Sequence, residues 1–186
     1  GGFYNVKVGG DGLVTMEATG KEGIMTDEQQ AYYDQFSSVT SFGIGAVSVG
    51  LVESSKDVLI GSFELGQIDV DDIENLDKNG KMEAITPASA MIHEIIEKKV
   101  KQIDKLPYIF AHMAGVTAEA RITGWSRDVF ADNGSYVGSP AGGVTGPSEH
   151  TYRKNGQTKI VSLNLINSNL QNASERKPII IGGKLY

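Results

Sequence analysis

Thr86-Pro87-Ala88-Ser89-Ala90-Met91-Ile92-His93-Glu94-Ile95-Ile96-Glu97-Lys98-Lys99-Val100-Lys101-Gln102-Ile103 carries both a start signal and a buried face. Thr86 offers a side-chain oxygen to the first free amides, and Pro87 sits at the first helical position, where a missing N–H does no harm. Ile92, Ile96, Val100 and Ile103 recur at i, i+4, i+8 and i+11, one apolar stripe on a helix over about 86–103. On this reading Lys98, Lys99 and Lys101 point to water, Lys99 with its stem along the edge of the stripe. After Lys105-Leu106-Pro107 a second helix is predicted over 108–123, with Ile109, Met113, Val116 and Ala120 as its stripe and Gly124 as its stop. Two consecutive helices with one stripe each pack on one another and on the strands before them.

Working outward, Thr26-Asp27-Glu28-Gln29 is a capping box and opens a helix over 27–37. Residues 41–65 turn β-branched and glycine-spaced, which predicts strands within 45–52 and 57–63, joined by the polar turn Glu53-Ser54-Ser55-Lys56 with their apolar faces together. Residues 3–16 suit two brief strands around Gly9-Gly10-Asp11-Gly12. Between Arg127 and Pro147 the chain is almost all Gly, Ser, Asn, Asp and Pro; a loop so long is mobile or functional, for instance a lid. Strands at 158–166 and 177–183 follow. The expectation is one α+β domain over 1–186, a small antiparallel sheet packed against two central helices, with no repeat or linker to divide it.

Composition narrows the chemistry. Of 186 residues 40% are hydrophobic and none is Cys, so a core forms without disulfides, and any metal ligands must be His, Asp or Glu. Seventeen basic against 23 acidic side chains give net −6, which argues against nucleic-acid binding by phosphate neutralisation. The apolar run at 42–52 is too short to span a bilayer, so no membrane span is expected. No basic-then-apolar leader is visible, and the start reads as a piece cut from a longer chain. Asp69, Asp71, Asp72, Glu74 and Asp77 invite a calcium loop. However, a loop begun at Asp77 puts Lys81 at a ligand position and Met82 where Gly is required. A solvated short helix over 70–76 and an Asn79-Gly80 turn are expected instead.

His93 and Glu97, four apart, share a helical face beside the Ile92/Ile96 stripe. A half-buried His and carboxylate side by side can bind one metal; this is the zinc-protease arrangement H-E-x-x-H with Glu at the second ligand position. Glu94 then takes the general-base position, polarising a water on the metal. On the second helix His112 and Glu119, seven apart, return to within about 20° of each other with a rise of roughly 10 Å. One of them would be a ligand and the other would stand behind it. The competing reading is a non-catalytic protein-binding domain, because an i,i+4 His–Glu pair is also an ordinary hydrogen bond and the two helices could share a structural His/Glu network. A serine hydrolase using His112 or His150 lacks the G-x-S-x-G pattern. Trp125 is expected in the core and His150 in solvent, with Arg121 and Arg127 pairing to the acidic segment at 67–77.

The stretch from Val58 to Gly124 includes Val-Leu-Ile-Gly-Ser-Phe, Gly-Gln-Ile-Asp-Val-Asp-Asp-Ile, Thr-Pro-Ala-Ser-Ala-Met-Ile-His-Glu-Ile-Ile-Glu and Ala-His-Met-Ala-Gly-Val-Thr-Ala-Glu. It resembles C-terminal domains of bacterial Rhs and other polymorphic toxins, which look zincin-like, with an H-E-I-x-E helix followed by an A-H-x-x-G-x-x-A-E helix. The resemblance covers about a third of the chain. It implies a zincin-like fold and zinc held by His93, Glu97 and either His112 or Glu119, with Glu94 as base. It further implies a metallopeptidase-like toxin or effector acting on a protein or peptide substrate. Such a domain would be secreted or delivered as part of a larger bacterial protein, otherwise cytoplasmic, and would have a cognate immunity protein as partner. The departure is Glu97, where peptidases of this type carry a second His.

Overall fold

The computed structural model describes residues 3–8, 14–21, 23–40, 47–130, 146–178, 180–181 and 184–185. In chain order its elements are β1 (Tyr4–Val8), β2 (Val14–Ala18), α1 (Asp27–Thr40), β3 (Gly50–Val52), β4 (Gly61–Ser62), β5 (Gln67–Asp69), α2 (Val70–Asn75), α3 (Pro87–Lys99), α4 (Tyr108–Thr123), β6 (Ser126–Arg127), β7 (Gly146–Lys154), β8 (Gln157–Ile166), β9 (Asn169–Arg176), β10 (Ile180–Ile181) and β11 (Lys184–Leu185). The α+β expectation holds, with four α-helices and several small sheets among the described residues.

The local signals act as read. The Thr86 hydroxyl accepts from the Ser89 amide at 3.1 Å while the Thr86 amide donates to Ser89 Oγ at 2.9 Å, and Thr26 and Gln29 form the same reciprocal pair at 3.2 and 3.0 Å. Gly124, in the left-handed region at φ 72°, closes α4. Ile92, Ile96 and Val100 are buried, and Ile103 lies half-buried in the π-helical turn Val100–Asp104 that extends α3. α3 is the centre of the fold. One side packs with Phe36, Ala111, Ala118 and Ile122 of α1 and α4, while Ala90 joins a second cluster with Trp125, Leu163 and Leu170. Burying a side chain such as Ile92 completely contributes roughly 1.5–3 kcal/mol.

The stripe on α4 differs from the expected one. Ile109 and Met113 are exposed, and the buried residues are Ala111, Gly115, Val116, Ala118, Glu119 and Ile122. Small side chains win the interior face because they allow close helix approach: a Cβ on Gly115 would lie 2.9 Å from the carbonyl oxygen of His93. Lys98 is likewise not in water. It is fully buried and donates from Nζ to Glu94 Oε2 at 3.1 Å, whereas Lys101 bonds the carbonyls of Phe63 and Glu64. Position 98 is four beyond Glu94, and burial of that carboxylate requires a cationic partner.

The segment expected as a hairpin pairs differently. β5 lies between β3 and β4, parallel to β3 and antiparallel to β4. The cause is Asp69, which is fully buried; its carboxylate accepts from the amides of Ser54 and Ser55 at 3.2 and 2.6 Å and also caps α2. Asp72, also fully buried, accepts from Ile60 at 2.8 Å and from Leu170 at 2.6 Å. The short helix expected over 70–76 forms as α2, but the acidic segment is not merely solvated: Asp69 and Asp72 act as backbone clamps. Burial pushes the Asp72 carboxyl up to about 6, against the two amides that favour its ionised form.

The larger sheet runs β6-β7-β8-β9, antiparallel throughout. β8 covers the expected 158–166 and supplies Ile160, Val161, Leu163 and Leu165 to the interior. β7 and β9 go beyond the sequence reading: both are polar and gain their place by pairing with the two edges of β8. β1 and β2 form the expected N-terminal hairpin, whose turn at 9–12 lies outside the described residues, as do 131–145 of the expected lid. Of the strand expected over 177–183, Ile180–Ile181 is one, paired with β11. Trp125 is buried at 2% exposure, as expected. No helix among the described residues is long and apolar enough to cross a membrane.

Candidate metal centre

Helical periodicity on α3 and a glycine on α4 build the site. His93 and Glu97 stand one turn apart on α3, and α4, brought close at Gly115, sets His112 against both. Glu97 Oε1 lies 3.2 Å from His93 Nε2 and 2.8 Å from His112 Nδ1, and the two ring nitrogens are 3.3 Å apart. Behind the cluster, His93 Nδ1 meets Glu119 Oε2 at 3.1 Å. The rings of His93 and His112 meet edge to face at 5.0 Å, and Tyr108 stacks on His112 at 5.3 Å. His93, Glu97 and Glu119 are 5%, 3% and 1% exposed.

The arrangement answers the choice the sequence left open. Among the described residues His93, Glu97 and His112 are the group whose ligand atoms converge, all within 4.8 Å of one another. Glu119 takes the other nitrogen of His93 and so stands behind this candidate group, because seven helical residues carry it too far along α4 to share the point His112 reaches.

The cluster poses an electrostatic problem. Glu97 Oε1 can only accept, and each histidine nitrogen donates or accepts according to its tautomer, so the three atoms repel unless a proton or a cation lies among them. With no metal, a proton supplies the answer. Burial alone would lower the His93 pKa, but hydrogen bonds to Glu119 and Glu97 and the nearby charge of Glu94 raise it to about 10. Burial would raise Glu97 and Glu119. His112 and His93 instead hold Glu97 below the usual carboxylate range, and His93, Arg127 and Tyr152 hold Glu119 below it.

A divalent metal is the other answer, and the spacing fits it. Bonds of about 2.0–2.1 Å in a tetrahedral zinc site separate the ligand atoms by roughly 3.3 Å. The three edges here are 2.8, 3.2 and 3.3 Å. A His–carboxylate contact behind a ligating His is the common way of fixing its tautomer.

The cluster borders a cleft of about 510 Å³. Glu94 lines it, bonded by Lys98 and passing close over Gly61, where an added Cβ would lie 1.7 Å from Glu94 Oε2. Next to it Ile60 is held at φ 58°, a strained conformation for a β-branched residue, by the Asp72 carboxylate on its amide and the Asp69 amide on its carbonyl. His150 is not in solvent as expected: it is half-buried in the same cleft and accepts from Arg127 at 2.7 Å, so Arg127 bonds a histidine rather than the acidic segment. Gly61 and Ser148 had no site role in the sequence reading, which placed Lys98 and His150 in solvent. Gly115 was visible only as the glycine three residues after His112. A larger cavity of about 770 Å³, walled by Phe3, Tyr33, Met82 and Trp125 among others, contains none of the cluster.

The chain matches no family model, no curated protein and no solved structure.

Proposed function

We propose that this chain is a metal-dependent hydrolase domain in which His93, Glu97 and His112 hold a divalent metal, zinc being the one their two nitrogens and one oxygen suit best. The observation that carries this reading is the convergence of three acceptor atoms at zinc-like spacing, with Glu119 fixing His93 from behind. A metal there would supply Lewis acidity, polarising a substrate carbonyl and making water more acidic. Glu94 lies next to His93 and lines the cleft, where its carboxylate would take the proton of the attacking water. Lys98 holds that carboxylate, and the missing side chain of Gly61 leaves it room.

The likeness of Val58 to Gly124 to polymorphic-toxin domains supports a finer reading: a zincin-like, peptidase-like bacterial effector, delivered within a larger protein and restrained by an immunity protein. The second reading is a non-catalytic protein-binding domain. It is favoured by one observation, that the same side chains satisfy one another through a proton on His93.

Elemental analysis of the purified chain beside His93→Ala/Glu97→Ala tests the choice. Near-stoichiometric zinc in the wild type, lost in the double variant, is the expected result. Equal metal content in two folded proteins would overturn it and move the weight to the binding-domain reading.

A further inference from the structure

The two hydrophobic clusters of the fold do not close on each other everywhere. Met16 and Tyr32 pack with the cluster around Ile92, while Met82 and Trp125 belong to the other. Between them lies the cavity of about 770 Å³, with β1, β2 and α1 on one side and the start of α3, the end of α4 and β7 on the other. Protein interiors seldom leave voids larger than a water molecule, and this volume falls in the range of small-molecule sites. The lining is built of rings and thioethers. Tyr4 and Tyr33 stack at 4.5 Å on one side, Trp125 stands on the other, and three of the chain's five methionines, Met16, Met25 and Met82, fill in between. Aromatic faces favour a ring laid against them, and unbranched methionines adapt to its outline. Polar side chains of the wall are engaged by the fold itself. Gln29 Oε1 accepts from the Thr26 amide at 3.0 Å, the Thr86 hydroxyl accepts from the Ser89 amide at 3.1 Å, and Lys154 Nζ donates to the Thr123 carbonyl at 3.0 Å. In a chain of net charge −6 the charges of this wall cancel, Glu28 and Glu83 against Lys81 and Lys154. Burial raises the pKa of the Tyr32 hydroxyl, the direction a poorly hydrated wall imposes. Water in such a space is weakly held, and an apolar ligand gains by displacing it.

We propose that this cavity is a second binding site, for a small neutral molecule that carries an aromatic ring. It shares no lining residue with the cleft beside the His93/Glu97/His112 cluster, so the inference stands apart from the hydrolase reading. The balanced charges of the wall disfavour an ion as occupant, and its rings favour a flat partner over a straight alkyl chain.

The chain's single tryptophan lies in this wall, so energy transfer from Trp125 to N-phenyl-1-naphthylamine, a neutral probe that brightens in apolar surroundings, reads binding directly. A single probe per chain is expected, with Kd on the order of 10 μM, and the same value in EDTA and in His93→Ala/Glu97→Ala. Ala88→Phe, at an exposed position of the lining, fills part of the space and is expected to weaken binding about tenfold or more. Met25→Glu brings an uncompensated charge to the wall and gives the same readout if Ala88→Phe does not fold. In competition, 4-phenylphenol is expected to displace the probe at about a fifth of the concentration of 1-octanol, a straight chain of similar apolarity. Equal displacement by the two would give the cavity to an alkyl chain and overturn the ring-bearing ligand. A chain found dimeric without the probe and monomeric with it would give the cavity to a second copy and overturn the small-molecule site. No binding, or binding that both variants leave unchanged, overturns it as well, with the metal centre untouched by any of these results.

Discussion

Gly115→Ala is expected to leave the fold standing and dismantle the site. The added Cβ would stand 2.7 Å from His93 Cδ2, 2.9 Å from Nε2 and 2.9 Å from the His93 carbonyl oxygen. Unstrained carbon contacts begin near 3.5 Å, so α3 and α4 must separate, or the ring must move, by roughly 0.6–0.8 Å. The ring cannot absorb all of this, because the carbonyl belongs to the backbone of α3. Overpacking of this kind costs about 1–3 kcal/mol, and alanine's higher helix propensity returns about 1 kcal/mol. A net loss of about 0–2 kcal/mol lowers Tm by up to roughly 8 °C for a chain of this size. The ligand atoms tolerate far less, since metal sites hold their distances to about 0.2 Å, and a displaced ligand weakens zinc by about 100-fold or more. The assay is a circular-dichroism melt in chelator together with zinc affinity by competition against a colorimetric chelator. Wild-type zinc affinity in the folded Gly115→Ala protein would refute the reasoning.

Three further perturbations separate the remaining contributions. Glu119→Gln keeps the shape behind His93 but loses the carboxylate, and zinc affinity is expected to drop about 10- to 100-fold with the fold intact; an unchanged affinity in the same competition assay would deny Glu119 its orienting role. Lys98→Met strands Glu94 in the interior and should cost about 3–5 kcal/mol in urea unfolding, whereas Lys98→Met/Glu94→Gln should recover most of it; equal losses in both would show that the buried pair is not what holds the two residues. Asp72 is raised by burial to about 6, so the folded chain holds this proton more tightly than the unfolded one, and the resulting stability is complete below about 3.8 and lost as pH rises through about 6. Asp72→Asn should flatten the pH dependence of unfolding between those values and cost about 1–3 kcal/mol at pH 7, since an amide can accept from only one of the Ile60 and Leu170 amides; an unchanged slope would contradict it.

The sequence by itself determined what is local. Caps at Thr26 and Thr86, the stop at Gly124 and the stripe of Ile92, Ile96 and Val100 all depend on residues within one or two turns, and each reappears in the structure. The pairing of His93 with Glu97 belongs to the same class, because a spacing of four fixes a shared face on any helix.

Tertiary structure decided the rest, wherever a partner came from far along the chain. That His112 meets His93 and Glu97 in the candidate metal group while Glu119 stands behind it depends on how closely α4 approaches α3 at Gly115, a distance no periodicity encodes. Lys98 reads as a surface lysine until Glu94 is buried beside it. Asp69 and Asp72 read as a solvated acidic run until the amides of Ser54, Ser55, Ile60 and Leu170 close on them, setting β5 between β3 and β4. β7 is polar enough to pass for loop, yet its pairing with β8 and β6 places His150 and Ser148 beside Arg127 in the cleft. The physical reason is common to all four: a polar group becomes structural or functional only when its surroundings are dry and its partner is in place, and both conditions are set by contacts between distant segments.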